Sequence, residues 1–196
     1  MLLAHGAGGG RDAPALVGVA DALQVAGVPS LRFDYPYRQR GRRSPDRAPV
    51  LATATRDAAS RLAARAGLDP GRLILGGRSM GGRYCSMVAA DPENPVPALG
   101  LLLLGYPLHP AGKGEQLRVE HFARLHLPCL FISGTRDALA GHDELIAETK
   151  AIPGPVTFHW LETADHGYKP RKSSGRSSDD VVAEVAEVAT GWVVSL

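Results

Sequence analysis

Residues Leu73 to Gly82 read Leu-Ile-Leu-Gly-Gly-Arg-Ser-Met-Gly-Gly, which is the strongest structural signal in the chain. An apolar run suited to a buried strand leads into glycines around Ser79, and a helical pattern follows over Met80–Ala90. A serine at such a strand-to-helix turn is strained, and glycines two residues to either side leave room for it. The pattern predicts that Ser79 is a nucleophile. The alternative, a merely flexible glycine loop, stays open at this stage.

On both sides of this turn, short apolar runs alternate with longer amphipathic ones. We expect strands at Met1–Ala4, Ser30–Phe33, Arg72–Leu75, Leu99–Leu104, Leu127–Ser133 and Val156–Leu161. We expect helices at Pro14–Ala26, Pro49–Ala66, Met80–Ala90, Glu115–Leu125, His142–Ala151 and Ser178–Val194. The strands are apolar throughout rather than alternating, which indicates that both sheet faces are covered. Strand–helix repetition predicts a parallel sheet with right-handed crossovers, hence an α/β fold.

Composition narrows the class of protein. A chain of 196 residues with 44% hydrophobic and 21% charged residues fits one globular domain, residues 1–196, and excludes global disorder. The apolar runs are too short to span a membrane, and the first residues lack the features of a secretory signal. Two cysteines cannot build a disulfide framework, and a net charge of +2 carries no nucleic-acid signature. We expect a reduced cytoplasmic protein that needs no metal or cofactor and acts on a small molecule. The oligomeric state stays open.

Two partners for Ser79 follow later in the chain, each just after a predicted strand. They are Asp137, in Gly-Thr-Arg-Asp, and His166, in Ala-Asp-His-Gly. The order serine, acid, histidine is the one that the strand–turn–helix template requires. His166 would take the proton of Ser79, and Asp137 would orient the imidazole. Asp165 is the competing acid, but adjacent side chains rarely point into one hydrogen bond, which favours Asp137.

The loop after the first strand, His5–Gly10, is rich in glycine. Together with the backbone N–H of Met80, the N–H of Ala7 is the predicted donor to an oxyanion, with Gly6 as its neighbour. The alternative is a phosphate-binding glycine loop. The Gly-Lys-Ser/Thr ending of such loops is missing here, which argues against that alternative.

Several residues are candidates for contact with a substrate. Tyr106 and His109 follow the fourth predicted strand and would line the mouth of the site, although simple loop packing is an equal alternative. His5 and Arg78, in the two glycine turns, are further candidates. The basic loops Arg32–Arg47 and Lys169–Ser178 also follow strand ends, so they could favour anionic substrates. The alternative is that these loops are merely solvated.

With these residues assigned, the chain resembles an α/β-hydrolase, and more narrowly the dienelactone-hydrolase-like family that includes the KANL3/Tex30 hydrolase-like domain. The matching segments are Leu3–Gly8, Leu31–Tyr37, Gly76–Arg83, Leu104–Pro110, Gly134–Asp137 and Asp165-His166. The resemblance implies a Ser79–Asp137–His166 triad and a six-stranded sheet in the order 2-1-3-4-5-6. Dienelactone hydrolases proper carry a cysteine where this chain has Ser79, so lactone hydrolysis does not carry over.

Measured against the full hydrolase sheet, the chain lacks the first two strands and begins inside the next one, so its true start could lie upstream of Met1. No insertion is long enough for a cap domain, which predicts a shallow, open pocket. The expected function is a serine hydrolase of carboxylesterase type that acts on a small ester, including anionic esters. The alternative is a non-catalytic hydrolase-fold module that binds a protein partner, although such a module needs no triad.

Overall fold

The computed structural model describes all residues from Met1 to Leu196 and contains one sheet of six parallel strands. The strands are β1 (Leu2–Ala4), β2 (Leu31–Phe33), β3 (Ile74–Arg78), β4 (Gly100–Leu104), β5 (Cys129–Arg136) and β6 (Val156–Asp165). Their order across the sheet is β2-β1-β3-β4-β5-β6, and all neighbours are parallel. Both the expected α/β architecture and the expected strand order are confirmed.

Helices connect the strands and cover both faces of the sheet. They are α1 (Pro14–Val25), α2 (Pro36–Gln39), α3 (Ala48–Ala66), α4 (Met80–Ala89), α5 (His142–Thr149) and α6 (Ser178–Val194). The short α2 lies in the arginine-rich loop and was not predicted. None of these helices combines the length and the apolar character that a membrane crossing requires.

The apolar strands feed two cores, one on each face of the sheet. In β4, Leu101 and Leu103 join the core under α3 and α4, whereas Leu102 and Leu104 join the core under α1 and α6. All four side chains are fully buried, and each contributes roughly 1.5–3 kcal/mol of transfer free energy. This is why the strands read as continuous apolar runs rather than as alternating ones.

The helix expected over Glu115–Leu125 is wrong. The structure has only a 3-10 turn there, Phe122–Arg124, so residues 105–121 form the longest segment without helix or strand. The Tyr106 hydroxyl donates to the carbonyl of Arg118 at 2.7 Å, which takes up an acceptor that a helix would use. Leu117 and Val119, two residues apart, both pack against the core, a spacing that suits extended chain better than helix.

Both cysteines are free and buried in the core beneath α3 and α4. Burial raises the pKa of each thiol to about 12, for Cys85 on α4 and for Cys129 on β5. Both side chains are thus uncharged packing residues in the folded protein.

Candidate active site

Ser79 lies at the sharp turn between β3 and α4. Its backbone angles, φ 50° and ψ −116°, are rare for a residue with a side chain, and its N–H donates to Leu104 O at 2.8 Å. A Cβ on Gly77 would come within 2.4 Å of Ala4 O, and one on Gly81 within 2.2 Å of the same atom. Only glycine fits at either position, because the backbone of β1 passes directly beside the turn.

Three side chains from three different loops meet at this turn. His166 Nε2 lies 2.9 Å from Ser79 Oγ, and His166 Nδ1 lies 2.7 Å from Asp137 Oδ2. A carboxylate only accepts hydrogen bonds, so Nδ1 carries the proton and Nε2 accepts from the serine hydroxyl. The Asp137 side chain is fully buried, whereas about a quarter of the His166 side chain is exposed. This arrangement can move the serine proton onto His166 and stabilise the resulting cation.

The loops after β5 and β6 hold the acid and the histidine in place. The backbone N–H of Leu139 donates to Asp137 Oδ1 at 2.8 Å, which fixes the second carboxylate oxygen. Beyond His166, the hydroxyl of Tyr168 donates to Ile132 O at 2.8 Å and ties the histidine loop to β5. The carboxylate is therefore oriented by two partners, and the imidazole sits on an anchored loop.

The competing acid, Asp165, serves a different purpose. Its Oδ1 accepts from the backbone N–H of Gly167 at 2.8 Å and of Lys169 at 3.0 Å. These bonds cap the turn that carries His166. The structure therefore brings Asp137, and not Asp165, against the imidazole.

The glycine loop lies directly beside Ser79. A Cβ placed on Gly6 would be 3.5 Å from Ser79 Cβ. Within the loop, the N–H of Gly9 donates to Gly6 O, whereas the N–H groups of Gly6 and Ala7 donate to no acceptor in the chain. Met80 opens α4, where a backbone N–H has no intrahelical acceptor. Two segments beside Ser79 thus carry backbone donors that are not used within the protein.

His5, a candidate for substrate contact, has no exposed surface. Its Nδ1–H donates to Gly6 O at 2.8 Å, and its Nε2 accepts from the backbone N–H of Tyr35 at 3.1 Å. Burial lowers the pKa of His5, in keeping with a neutral ring that uses both nitrogens. The expectation of substrate contact is wrong for this residue, because His5 ties the glycine loop to the end of β2 instead. Nothing in the spacing of the residues around His5 indicates this role.

Tyr106 does not lie at the mouth of the site. Its side chain is fully buried against Phe122 and Phe131. Its expected contact with substrate is wrong, because the side chain packs in the core and has no accessible surface. His109 is nearly buried, with Nδ1 bonded to Pro110 O at 3.0 Å and Nε2 3.6 Å from a Glu144 carboxylate oxygen. Both of its ring nitrogens thus face groups of the protein.

Arg78 bridges the end of β4 and the histidine loop. Its guanidinium lies over the ring of Tyr168, 4.3 Å from the ring centre, and Nη1 donates to Leu104 O at 3.3 Å. Gly105 has φ 54°, and a Cβ there would meet Arg78 Nη1 at 2.5 Å. Arg78 therefore packs beside the triad as part of its supporting structure.

The basic loops carry less free charge than their composition suggests. Arg32 pairs with Asp12 at 2.9 Å, Arg40 pairs with Asp46 at 2.7 Å, and Arg176 pairs with Glu184. Several of the arginines in Arg32–Arg47 and Lys169–Ser178 are thus neutralised within the protein.

Several surface cavities lie away from the triad. Five of them, of about 300 to 460 Å³, are lined by neither Ser79 nor Asp137 nor His166. A cavity of about 460 Å³ lies between α3 and residues 94–97, next to Leu73 at the opposite end of β3. No group of three or more His, Cys, Asp or Glu side chains is arranged to hold a metal ion.

Solved structures with the same fold include several hydrolases. An alpha-beta serine hydrolase homologue from Coxiella burnetii is 18% identical, with a TM-score of 0.73 over 97% of this chain and 83% of that one. The esterase domain of a Rhodothermus marinus protein is 20% identical, with a TM-score of 0.69 over 97% and 84%. An esterase from Pyrobaculum calidifontis is 19% identical, with a TM-score of 0.66 over 98% and 76%.

The sequence also matches a family as a whole. The family described as "Alpha/beta hydrolase domain" matches residues 1–194, which is nearly the full chain. Together with the parallel sheet and the serine turn between β3 and α4, this match shows that the chain belongs to the α/β-hydrolase family.

Proposed function

We propose that this protein is a serine hydrolase that cleaves small esters, with Ser79 as nucleophile, His166 as general base and Asp137 as the acid that orients it. The observation that carries the proposal is the unbroken hydrogen-bonded series from Ser79 Oγ through His166 to Asp137, with donor–acceptor distances of 2.9 and 2.7 Å. A binding module that performs no chemistry would have no need for a strained serine in line with a histidine and a buried carboxylate.

The reaction follows from this geometry. Ser79 Oγ attacks the ester carbonyl carbon while His166 Nε2 takes the hydroxyl proton, and the Asp137 carboxylate stabilises the imidazolium that forms. His166 then returns the proton to the leaving alkoxide, which releases the alcohol and leaves an acyl group on Ser79. Water attacks the acyl-enzyme by the same route, with His166 again as base, and frees the acid.

The negative charge of each tetrahedral intermediate needs donors that are already in place. The N–H of Met80 and the N–H of Ala7, with that of Gly6 beside it, are the groups we assign to this role. Their freedom from other hydrogen bonds and the closeness of Gly6 to Ser79 support the assignment. Losing one such donor typically slows the chemical step by about 10²–10³-fold.

Ester substrates are favoured by two considerations. Two of the structures that share the fold of this chain are named as esterases. In addition, the connections between strands carry no separate cap domain, and His166 is partly exposed, which suits a small substrate that enters from solvent.

Labelling with a fluorophosphonate probe tests the proposal. The probe should modify the wild-type protein at Ser79, and Ser79→Ala should abolish labelling. The control variant Ser44→Ala, which changes an exposed serine in the basic loop, should be labelled like the wild type. A folded wild-type protein that takes up no probe would overturn the proposal in favour of a non-catalytic module. Labelling that survives Ser79→Ala would assign the nucleophile elsewhere.

A further inference from the structure

Ser79 and His166 follow strands that are not neighbours in the sheet. β4 and β5 lie between β3, which leads to Ser79, and β6, which leads to His166. Neighbouring strands are about 4.8 Å apart, so roughly 14 Å separates β3 from β6. The histidine loop, residues 166–171, therefore has to reach back across the sheet before His166 Nε2 can lie 2.9 Å from Ser79 Oγ. That distance depends on the contacts that hold this loop over β5 and β4.

Tyr168 holds the histidine loop over β5. Its side chain is buried, and its hydroxyl donates to Ile132 O at 2.8 Å. The same carbonyl accepts the backbone N–H of Gly105 at 2.8 Å, so the bond lies where β4 and β5 end side by side. Tyr168 has φ 63°, a conformation that is rare for a bulky residue and persists only where the surroundings hold it. The course of the loop thus depends on what this ring contacts.

Arg78 meets the same ring from the side of the serine. Its guanidinium carbon lies 4.3 Å from the centre of the Tyr168 ring. Its Nη1 donates to Leu104 O at 3.3 Å and lies 3.5 Å from Gly105 O. Leu104 O also accepts the backbone N–H of Ser79 at 2.8 Å. The side chain that stacks on Tyr168 and the backbone of the nucleophile therefore share one acceptor at the end of β4.

Two further observations indicate that the guanidinium of Arg78 is committed to this contact. No carboxylate oxygen lies within 4 Å of it, so no ion pair draws the side chain elsewhere. In addition, a Cβ on Gly105 would lie 2.5 Å from Arg78 Nη1, so the glycine leaves the space that the guanidinium fills. Arg78 is half-buried, and a cation on an aromatic face is held more strongly where water is partly excluded.

We propose that the Arg78–Tyr168 pair sets the position of His166 relative to Ser79, so that Arg78 is a positioning residue and not a ligand of the substrate. This inference rests on the proposed serine-hydrolase function. The contacts run from the Ser79 turn through Arg78 to Tyr168, two residues beyond His166, and they span the two strands that separate serine from histidine. A misplacement of about 1 Å can cost about 100-fold in rate, so loss of the pair should act on kcat.

Kinetics on p-nitrophenyl acetate test the proposal, at a temperature where circular dichroism shows every variant to be folded. Arg78→Met removes the guanidinium but keeps an unbranched stem, and kcat should fall roughly 10- to 100-fold while KM changes less than about threefold. Arg78→Lys, which keeps a cation on the ring, should recover part of the loss. Tyr168→Phe keeps the aromatic face and should retain more activity than Tyr168→Leu. Arg78→Gln replaces Arg78→Met where the latter fails to fold.

A double-mutant cycle decides whether the two side chains act together. Arg78→Met should lower kcat only slightly in a Tyr168→Leu background, because the contact is already absent there. Additive losses would overturn the proposal. So would a raised KM with unchanged kcat, which is the result expected of a side chain that binds substrate. Arg72→Met is the matched control, because it changes an exposed arginine just before β3, at the opposite end of that strand, and should leave kcat and KM unchanged.

Hydrogen exchange separates this proposal from the proposed function, because it needs no turnover. The N–H of Tyr168 donates to Asp165 O at 2.9 Å, and the N–H of Asp165 donates to Lys169 O at 3.0 Å. Arg78→Met should speed exchange at these amides roughly 5- to 30-fold, as expected for loss of a cation–π contact, whereas Arg72→Met should not. Unchanged exchange would overturn the positioning role even in an active hydrolase. Failure of fluorophosphonate labelling would instead overturn the hydrolase function.

Discussion

His166 Nδ1 lies 2.7 Å from Oδ2 of Asp137, 29 residues away in the chain, whereas the carboxylate of the adjacent Asp165 binds the backbone of its own turn. Separation in sequence is no obstacle, because β5 and β6 are neighbouring parallel strands whose carboxyl ends meet at one edge of the sheet. Asp165, by contrast, supports the turn on which the histidine stands.

The two aspartates should therefore differ sharply in their importance for catalysis. Asp137→Asn replaces an acceptor of the imidazole N–H with an amide that favours the wrong tautomer, and kcat should fall by roughly 10³–10⁴-fold at neutral pH. Asp165→Asn keeps a side-chain oxygen for the two backbone donors and should cost far less. Steady-state kinetics on the best ester would measure both, and the reverse ranking would show that Asp165 is the working acid.

Replacing Gly81 should damage the protein through its backbone neighbours. A methyl group at Gly81 would lie 2.2 Å from Ala4 O, so Gly81→Ala must displace β1 and the glycine loop that follows it. We expect a loss of stability of about 1–3 kcal/mol, together with a large loss of activity. Gly191→Ala on α6, where nothing lies within 4 Å, should be neutral or slightly stabilising. Urea unfolding of both variants gives the comparison.

A variant of His5 distinguishes a structural role of this side chain from contact with substrate. His5→Phe keeps an aromatic ring but removes both hydrogen bonds, leaving the Tyr35 N–H unpaired in the core. We expect a loss of roughly 1–3 kcal/mol of stability and a lower kcat, because the glycine loop loses its attachment. The exposed His126, changed to Gln, serves as control. A raised KM with unchanged stability would instead indicate that His5 binds substrate.

His121 should make the fold sensitive to acid. Its pKa is about 4 in the folded protein, against an ordinary value of 6.5, so between these pH values the unfolded chain takes up a proton that the folded one does not. Stability should therefore fall as the pH drops from about 6.5 to 4, by about 3 kcal/mol, and then level off. His121→Gln should flatten this slope in denaturant unfolding at several pH values. His126→Gln should preserve the slope, and an unchanged slope in both variants would contradict the assignment.

The sequence predicted the features that depend on the course of the backbone, namely the strands, the Ser79 turn and the residues that follow strand ends. Continuous apolar runs such as Leu101–Leu104 locate buried parallel strands, and glycines around Ser79 locate a turn that no other residue fits. Asp137 and His166 follow strand ends, so topology alone brings them to one edge. These positions follow from chain order, whatever the side chains around them do.

The features that the sequence did not predict depend on the direction of side chains. Tyr106 follows β4 as expected, yet its ring lies in the core. Its hydroxyl binds the carbonyl of Arg118, an acceptor that the helix expected over Glu115–Leu125 would use. His5 lies in the loop as expected, yet its ring points inward to Tyr35. The spacing of residues along the chain does not indicate whether a loop side chain points into the core or toward the site, because packing across the whole domain determines its direction.

The two buried thiols give the protein a built-in reporter of its own opening. Alkylating reagents attack the thiolate, and Cys85 and Cys129 are both inaccessible and uncharged while the core beneath α4 is closed. Modification must therefore wait for that core to open, so the rate of thiol labelling follows the population of open molecules. Variants around Ser79 can be ranked in this way without introducing a further cysteine, and Cys85 reports directly on the helix that begins at the serine.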